Sequence, residues 1–136
     1  MKKFFVLISL FAIYFTWSCS QTSQSAEGKQ TGAEIKFETK EHDYGLIPQG
    51  GDGTYDFVFE NIGKEPLILN NVRSSCGCTV PEWPKEPVAK GEKGIIKVRY
   101  NTRITGNFTK SITVYSNASE QPIVLIIKGK VEAAVQ

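Results

Sequence analysis

Two of the three cysteines in this 136-residue sequence stand one residue apart, in Ser74-Ser75-Cys76-Gly77-Cys78-Thr79-Val80-Pro81-Glu82-Trp83-Pro84. Thiols this close offer three chemistries. As thiolates they chelate a soft ion such as Cu(I), or supply part of a zinc site. As a redox pair they close a disulfide, because Gly77 lets the backbone bend and Cα atoms two residues apart fall within bridging range. As inert thiols they pack at a turn like small hydrophobes. Structural zinc asks for four ligands, and this chain adds only His42 to the pair. Thioredoxin-like chemistry asks for a helix whose N-terminus lowers a thiol pKa, and Pro81 and Pro84 break any helix here. A ring this small adds little stability through loop entropy and is open to reduction. The redox and structural readings stand level, with a two-thiolate copper site, or one completed by a second molecule, as a third.

The rest of the catalytic inventory is thin. The single histidine lies in Lys40-Glu41-His42-Asp43-Tyr44-Gly45, beside a turn glycine, where it reads as a strand-end residue and not as the base of a relay with Cys76. Glu82 and Glu86 flank Trp83 and Pro84, but nothing in that stretch sets two carboxyl pKa values apart. There is no Gly-x-Ser-x-Gly elbow and no phosphate-cradling glycine loop. Asn107-Phe108-Thr109 and Asn117-Ala118-Ser119 match the glycosylation acceptor pattern, which behind a bacterial-type leader is coincidence. No catalytic residue and no cofactor is assigned. Trp83, held between Pro81 and Pro84, is a candidate partner contact; its other role is to cap the open end of the fold.

The chain opens with Met1-Lys2-Lys3 and a nearly unbroken apolar run from Phe4 to Phe15, the pattern of a secretory signal peptide over residues 1–18. The run is too short for the roughly 20 apolar residues of a membrane-spanning helix. Cys19 follows Ser18, and Phe15-Thr16-Trp17-Ser18-Cys19 resembles the looser lipoboxes of Bacteroidetes-type lipoproteins, although Trp17 replaces a small residue. That resemblance implies a lipid on Cys19, leaving Cys76 and Cys78 as the remaining pair. Residues 19–32 are polar and small and read as a tether. They lack the acidic run that resembles an outward-export signal, so the expected location is a periplasm-facing anchor in the cell or outer membrane. Without Lys2 and Lys3 the 16 basic residues fall to 14, equal to the 14 acidic ones. No basic stripe exists to neutralise phosphates, which argues against nucleic acid as a partner.

Residues 33–132 must position the thiol pair, and their signal is the two-residue alternation of half-buried strands, punctuated by Gly, Asn and Pro. Tyr55, Phe57 and Phe59 share one face; Ile96, Val98 and Tyr100 oppose Ile95, Lys97 and Arg99. Pro66–Val72 and Phe108–Ser116 read as further strands. Pro122–Ile127 is apolar on both faces and is expected to be a central, doubly covered strand. The sum is one all-β domain, an immunoglobulin-like antiparallel β-sandwich of about seven strands, with a tail at 133–136. Its expected core is Phe37, Tyr55, Phe57, Phe59, Leu67, Leu69, Val98, Tyr100, Val114, Leu125 and Ile127.

Five stretches together resemble one bacterial family: His42–Ile47, Phe57-Val58-Phe59-Glu60-Asn61-Ile62-Gly63, Leu67–Thr79 ending in Ser-x-Cys-Gly-Cys-Thr, Pro87 through Gly94-Ile95-Ile96, and Gly106 through Ser116-Asn117. Lys90 stands where that family commonly has a second proline. It is the domain-of-unknown-function family numbered 1573, similar to Hydin-like and major-sperm-protein-like immunoglobulin modules. The resemblance implies a seven-stranded sandwich on exported or lipid-anchored proteins and no established activity. The leading expectation is a non-enzymatic module tethered through Cys19 that binds or scaffolds a periplasmic or envelope protein, with strand addition at a sheet edge as one route. The alternative is a Cu(I)-handling or thiol-redox protein using Cys76 and Cys78. The oligomeric state is open.

Overall fold

The computed structural model describes residues 32–134. The leader, Cys19, nearly all of the tether and the last two residues of the tail lie outside the described residues.

Among the described residues eight strands follow one another: β1 (Ile35–Phe37), β2 (Glu41–Pro48), β3 (Thr54–Asn61), β4 (Leu69–Ser74), β5 (Thr79–Glu82), β6 (Lys93–Tyr100), β7 (Gly106–Ser116) and β8 (Ser119–Glu132). They form two four-stranded sheets, ordered β1-β3-β6-β5 and β2-β8-β7-β4. All pairs are antiparallel except β2 with β8, which run parallel. Its register slips between Asp43 and Leu46, where Gly45 takes a φ of 64° and its N–H donates to Asp43 Oδ1 at 2.8 Å. A slip at a residue free to adopt positive φ lets Tyr44 and Ile47, three positions apart, both turn toward the core.

The alternation in sequence becomes the sandwich interior. In the first sheet Phe57 lies opposite Ile96 and Phe59 opposite Gly94; in the second Ile112 lies opposite Leu125 and Val114 opposite Ile123. Phe57, Phe59, Ile96, Val98, Ile112, Leu125 and Ile127 have no exposed surface. Each expected core residue is in this cluster, with Tyr55 partly buried against it. The doubly covered strand is corrected. β8 is central, between β2 and β7, but Val124 is 48% exposed, because each sheet of a two-layer sandwich turns only one face inward.

Two asparagines close the backbone where strands end. Asn61, fully buried, accepts from Gly63 N–H at 3.0 Å and donates through Nδ2 to Glu65 O at 2.8 Å and Val88 O at 2.9 Å. Asn117 accepts from Ile68 N–H at 2.8 Å and donates to Pro66 O at 3.0 Å, fastening the segment before β4 to the β7–β8 turn. The Asn-x-Gly and Ser-Asn pairs legible in sequence are thus side-chain substitutes for missing ladder bonds.

Candidate functional site

β4 belongs to one sheet and β5 to the other, so the chain crosses the sandwich edge between Ser74 and Thr79. The thiol pair sits at this crossover as a disulfide, Cys76–Cys78, with Cα atoms 5.3 Å apart. Ser74 Oγ lies 2.6 Å from Cys76 O and 2.7 Å from Thr79 O, so one hydroxyl proton braces the whole turn from within. Both cysteines are half-buried, and among the described residues nothing beyond its two chain neighbours lies within 4 Å of where a Cβ on Gly77 would be. Thr79, only 2% exposed, places Oγ1 3.8 Å from Cys76 Sγ and 3.9 Å from Cys78 Sγ. That hydroxyl has no other hydrogen-bond partner among the described residues.

Cys78 lines an open cleft of about 490 Å³ at this end of the sandwich, facing Gly50–Thr54 on one side and Arg99 to Arg103 on the other. Its walls are pinned. Gly50 N donates to Thr102 O at 3.1 Å, Thr102 Oγ1 to Gly51 O at 2.6 Å, Gln49 Nε2 to Arg103 O at 3.0 Å and Asn101 N to Cys78 O at 2.9 Å. Tyr44 reaches from β2 to donate its hydroxyl proton to Gly53 O at 2.8 Å, and burial raises the pKa of that phenol well above its ordinary value. Asp52 is held by Thr54 N–H, which with the neighbouring Thr54 hydroxyl lowers its carboxyl pKa. The charged residues lining the cleft are Asp52, Arg99 and Arg103: Arg99 donates to Glu82 at 3.3 Å, while Arg103 has no side-chain partner among the described residues.

The other sequence-derived candidates lie elsewhere. Trp83 lines a separate, more open depression with Pro84, Gly94, Ile95 and Lys97. Its ring packs on the core, the Lys85 ammonium sits 3.0 Å from the ring centroid, and Nε1 is buried with no hydrogen-bond partner among the described residues. His42 stacks on Tyr55 at 3.6 Å between centroids and meets Tyr44 edge-on at 4.5 Å, so its neighbours are aromatic rings and not Cys76. Among the described residues no group of three or more His, Cys, Asp or Glu could hold a metal ion, and in the disulfide neither cysteine offers a thiolate. No helix among the described residues is long and apolar enough to cross a membrane. Thr79, Arg99 and Arg103 were not singled out by sequence; the only signal was Thr79 following the pair.

The stacked His42 carries a pH consequence. Burial lowers its pKa from 6.5, with the Asp43 carboxylate opposing more weakly. The unfolded chain therefore binds this proton more tightly than the fold. The associated stability is complete above 6.5 and is lost as pH falls through the lower folded value. His42→Phe keeps a ring on Tyr55 and removes the proton. Thermal melts of the variant should lose less midpoint than the parent between about pH 7 and about pH 5.

β5 is also closed to strand addition. Because Cys78 O accepts from Asn101, Val80 and Glu82 turn their backbone groups to β6, and Thr79 and Pro81 turn theirs outward. Pro81 has no N–H, Thr79 O takes the Ser74 hydroxyl, and Thr79 N donates to Cys76 O at 3.4 Å. An incoming strand finds no free ladder there.

The family described as "Protein of unknown function (DUF1573)" matches residues 35–131. The human protein described as "Hydrocephalus-inducing protein homolog" is 27% identical over 107 residues, covering 76% of this chain and 2% of that protein. A protein of unknown function from Porphyromonas gingivalis W83 superposes with a TM-score of 0.65 at 12% identity, over 72% of this chain and 46% of its own. The ASH / PapD-like domain 7 of human CEP192 does so with a TM-score of 0.62 at 11% identity, over 78% and 89%. At these identities the likeness is of fold.

Proposed function

This chain belongs to the DUF1573 family, and on that premise we propose that it is a non-enzymatic binding module, exported and held to the membrane by lipid on Cys19, that engages an envelope protein through the loop end of its sandwich. The observation that carries this reading is the braced cleft between Gly50–Thr54 and Arg99–Arg103, whose walls are fixed by backbone and side-chain bonds before any partner arrives. Preformed walls spare the ordering entropy that a mobile loop loses on binding. The cleft sets two arginines, one without a side-chain partner among the described residues, beside the single carboxylate of Asp52, chemistry suited to an acidic segment. Strand addition, with β5 closed and β1 only three residues long, would fall to the edges of the other sheet, β2 and β4. Trp83 serves this reading better as a cap on the edge of β6 than as the anchor, since Lys85 covers its ring.

The test is photo-crosslinking in the native envelope. A crosslinking residue at Arg103, on the cleft, should yield a discrete adduct, and one at Lys64, at the far end of β3, should not. Cys19→Ser should move the chain from the membrane to the soluble fraction. Equal adducts from both positions, or none, would remove the cleft from consideration.

A further inference from the structure

We infer that the Cys76–Cys78 disulfide is a thiol-exchange site, in which the Thr79 hydroxyl stabilises the departing sulfur and the cleft presents the incoming cysteine of an acidic polypeptide. Three separate features of the crossover lead here.

The first is what the bond does not do. A loop closed over one intervening residue removes very little chain entropy from the unfolded state, and the crossover is already braced by Ser74. The second is access. Of the two sulfur-bearing residues only Cys78 lines the cleft, and the space over Gly77 is open, so a thiolate arriving through the cleft meets Cys78 first. The third is Thr79. Its hydroxyl is buried beneath the pair, and among the described residues only the two sulfurs lie near enough to accept its proton. A disulfide sulfur is a weak acceptor and a thiolate a strong one, so this hydrogen bond gains strength as the S–S bond breaks.

The reaction balances without a further oxidant. A substrate thiolate attacks Cys78 Sγ; a new S–S bond joins substrate to Cys78, and the electron pair of the old bond leaves on Cys76 Sγ, where Thr79 donates to it. A second thiol of the substrate then attacks the mixed disulfide. The products are a substrate disulfide and the Cys76–Cys78 dithiol, two electrons having passed to this chain. Exchange is stoichiometric and so compatible with a binding module. Arg99 and Arg103 raise the thiolate fraction of an incoming cysteine and favour acidic neighbours around it.

The oxidised full-length chain is treated with two synthetic dithiol peptides of equal length, one with Asp and one with Lys flanking its cysteines, and free thiols are counted by alkylation and mass spectrometry. The acidic peptide should be preferred relative to its reactivity with a small linear disulfide, and Arg99→Gln with Arg103→Gln should erase that preference. Thr79→Val should slow reduction about tenfold, the worth of a hydrogen bond to a charged sulfur, and Thr79→Ser should restore it. Thermal melts establish that each variant is folded. Should Thr79→Val fail to fold, the cysteine variants decide: with the disulfide form of the acidic peptide, Cys76→Ser should acquire the peptide on Cys78 faster than Cys78→Ser acquires it on Cys76. Equal rates at the two cysteines, a Thr79→Val chain reduced as fast as the parent, or a pair untouched by excess dithiol would overturn the inference. The crosslink at Arg103 is independent of all three, so the cleft can hold a partner even where exchange fails.

Discussion

Replacing Asn61 by alanine should cost the fold roughly 2–4 kcal/mol, enough to remove a large part of a typical domain's stability. The side chain has no exposed surface and ends β3 by answering groups that no strand reaches. In Asn61→Ala the Gly63 N–H loses its acceptor and Glu65 O its donor. Val88 O keeps its bond from Leu67 N at 2.9 Å, and the bond that Asn61 Oδ1 also accepts from Glu34 N–H is long at 3.5 Å, which holds the loss below four full bonds. Asn61→Asp separates this account from simple packing loss, because it keeps the shape and puts a second oxygen where Nδ2 faces Glu65 O and Val88 O. Two acceptors there favour the protonated acid, so the aspartate's folded pKa lies above its unfolded value. Stability then increases as pH falls and is lost as pH rises through that folded value. Urea titrations should show Asn61→Asp below Asn61→Ala at neutral pH and recovering on acidification. An Asp variant that does not respond to acid would mean the two carbonyls are not what position 61 answers.

The fold was legible wherever one-sided burial writes itself as alternation. Phe57 and Phe59, or Ile96, Val98 and Tyr100, announce a strand face because water and core demand opposite residues at successive positions. Pro122–Ile127 misled for the same reason: Val124 and Ile126 are apolar yet turn outward, and composition alone does not tell a covered face from an exposed one. The parallel pairing of β2 with β8 was not legible, since register between strands about eighty residues apart leaves no local trace. At the site, the close cysteine pair and the turn that carries it followed from Gly77 and Pro81, and its place at the crossover between sheets came only with the strand order. The disulfide itself was left open between thiols and a bond. The cleft walls were invisible, because Arg99 reads as an ordinary outward strand residue and Gly50–Gly53 as an ordinary turn; only the approach of three loops in space brings them to Cys78.

Gly94→Ala should destabilise the sandwich by about 1–3 kcal/mol, and a second substitution should abolish the effect. Gly94 is buried opposite Phe59, and a Cβ there would lie 2.3 Å from Phe59 Cζ, with two more ring carbons at 2.8 and 2.9 Å. Phe59 has little room to retreat. Its ring is fully buried and lies 5.7 Å from that of Phe37, centroid to centroid. The glycine is therefore required by the ring it faces. Its backbone is ordinary strand, outside the positive-φ glycines of this chain. Phe59→Ala alone should cost about 3–5 kcal/mol by opening a cavity. In that background the methyl added by Gly94→Ala enters vacated space, and the usual strand advantage of alanine over glycine, roughly 0.5–1 kcal/mol, becomes visible. The double variant should accordingly be at least as stable as Phe59→Ala, giving a coupling of about 2 kcal/mol or more in a double-mutant cycle. Denaturant midpoints of the four chains supply it. Equal penalties for Gly94→Ala in both backgrounds would place the constraint in the backbone of β6 instead of in the aromatic ring.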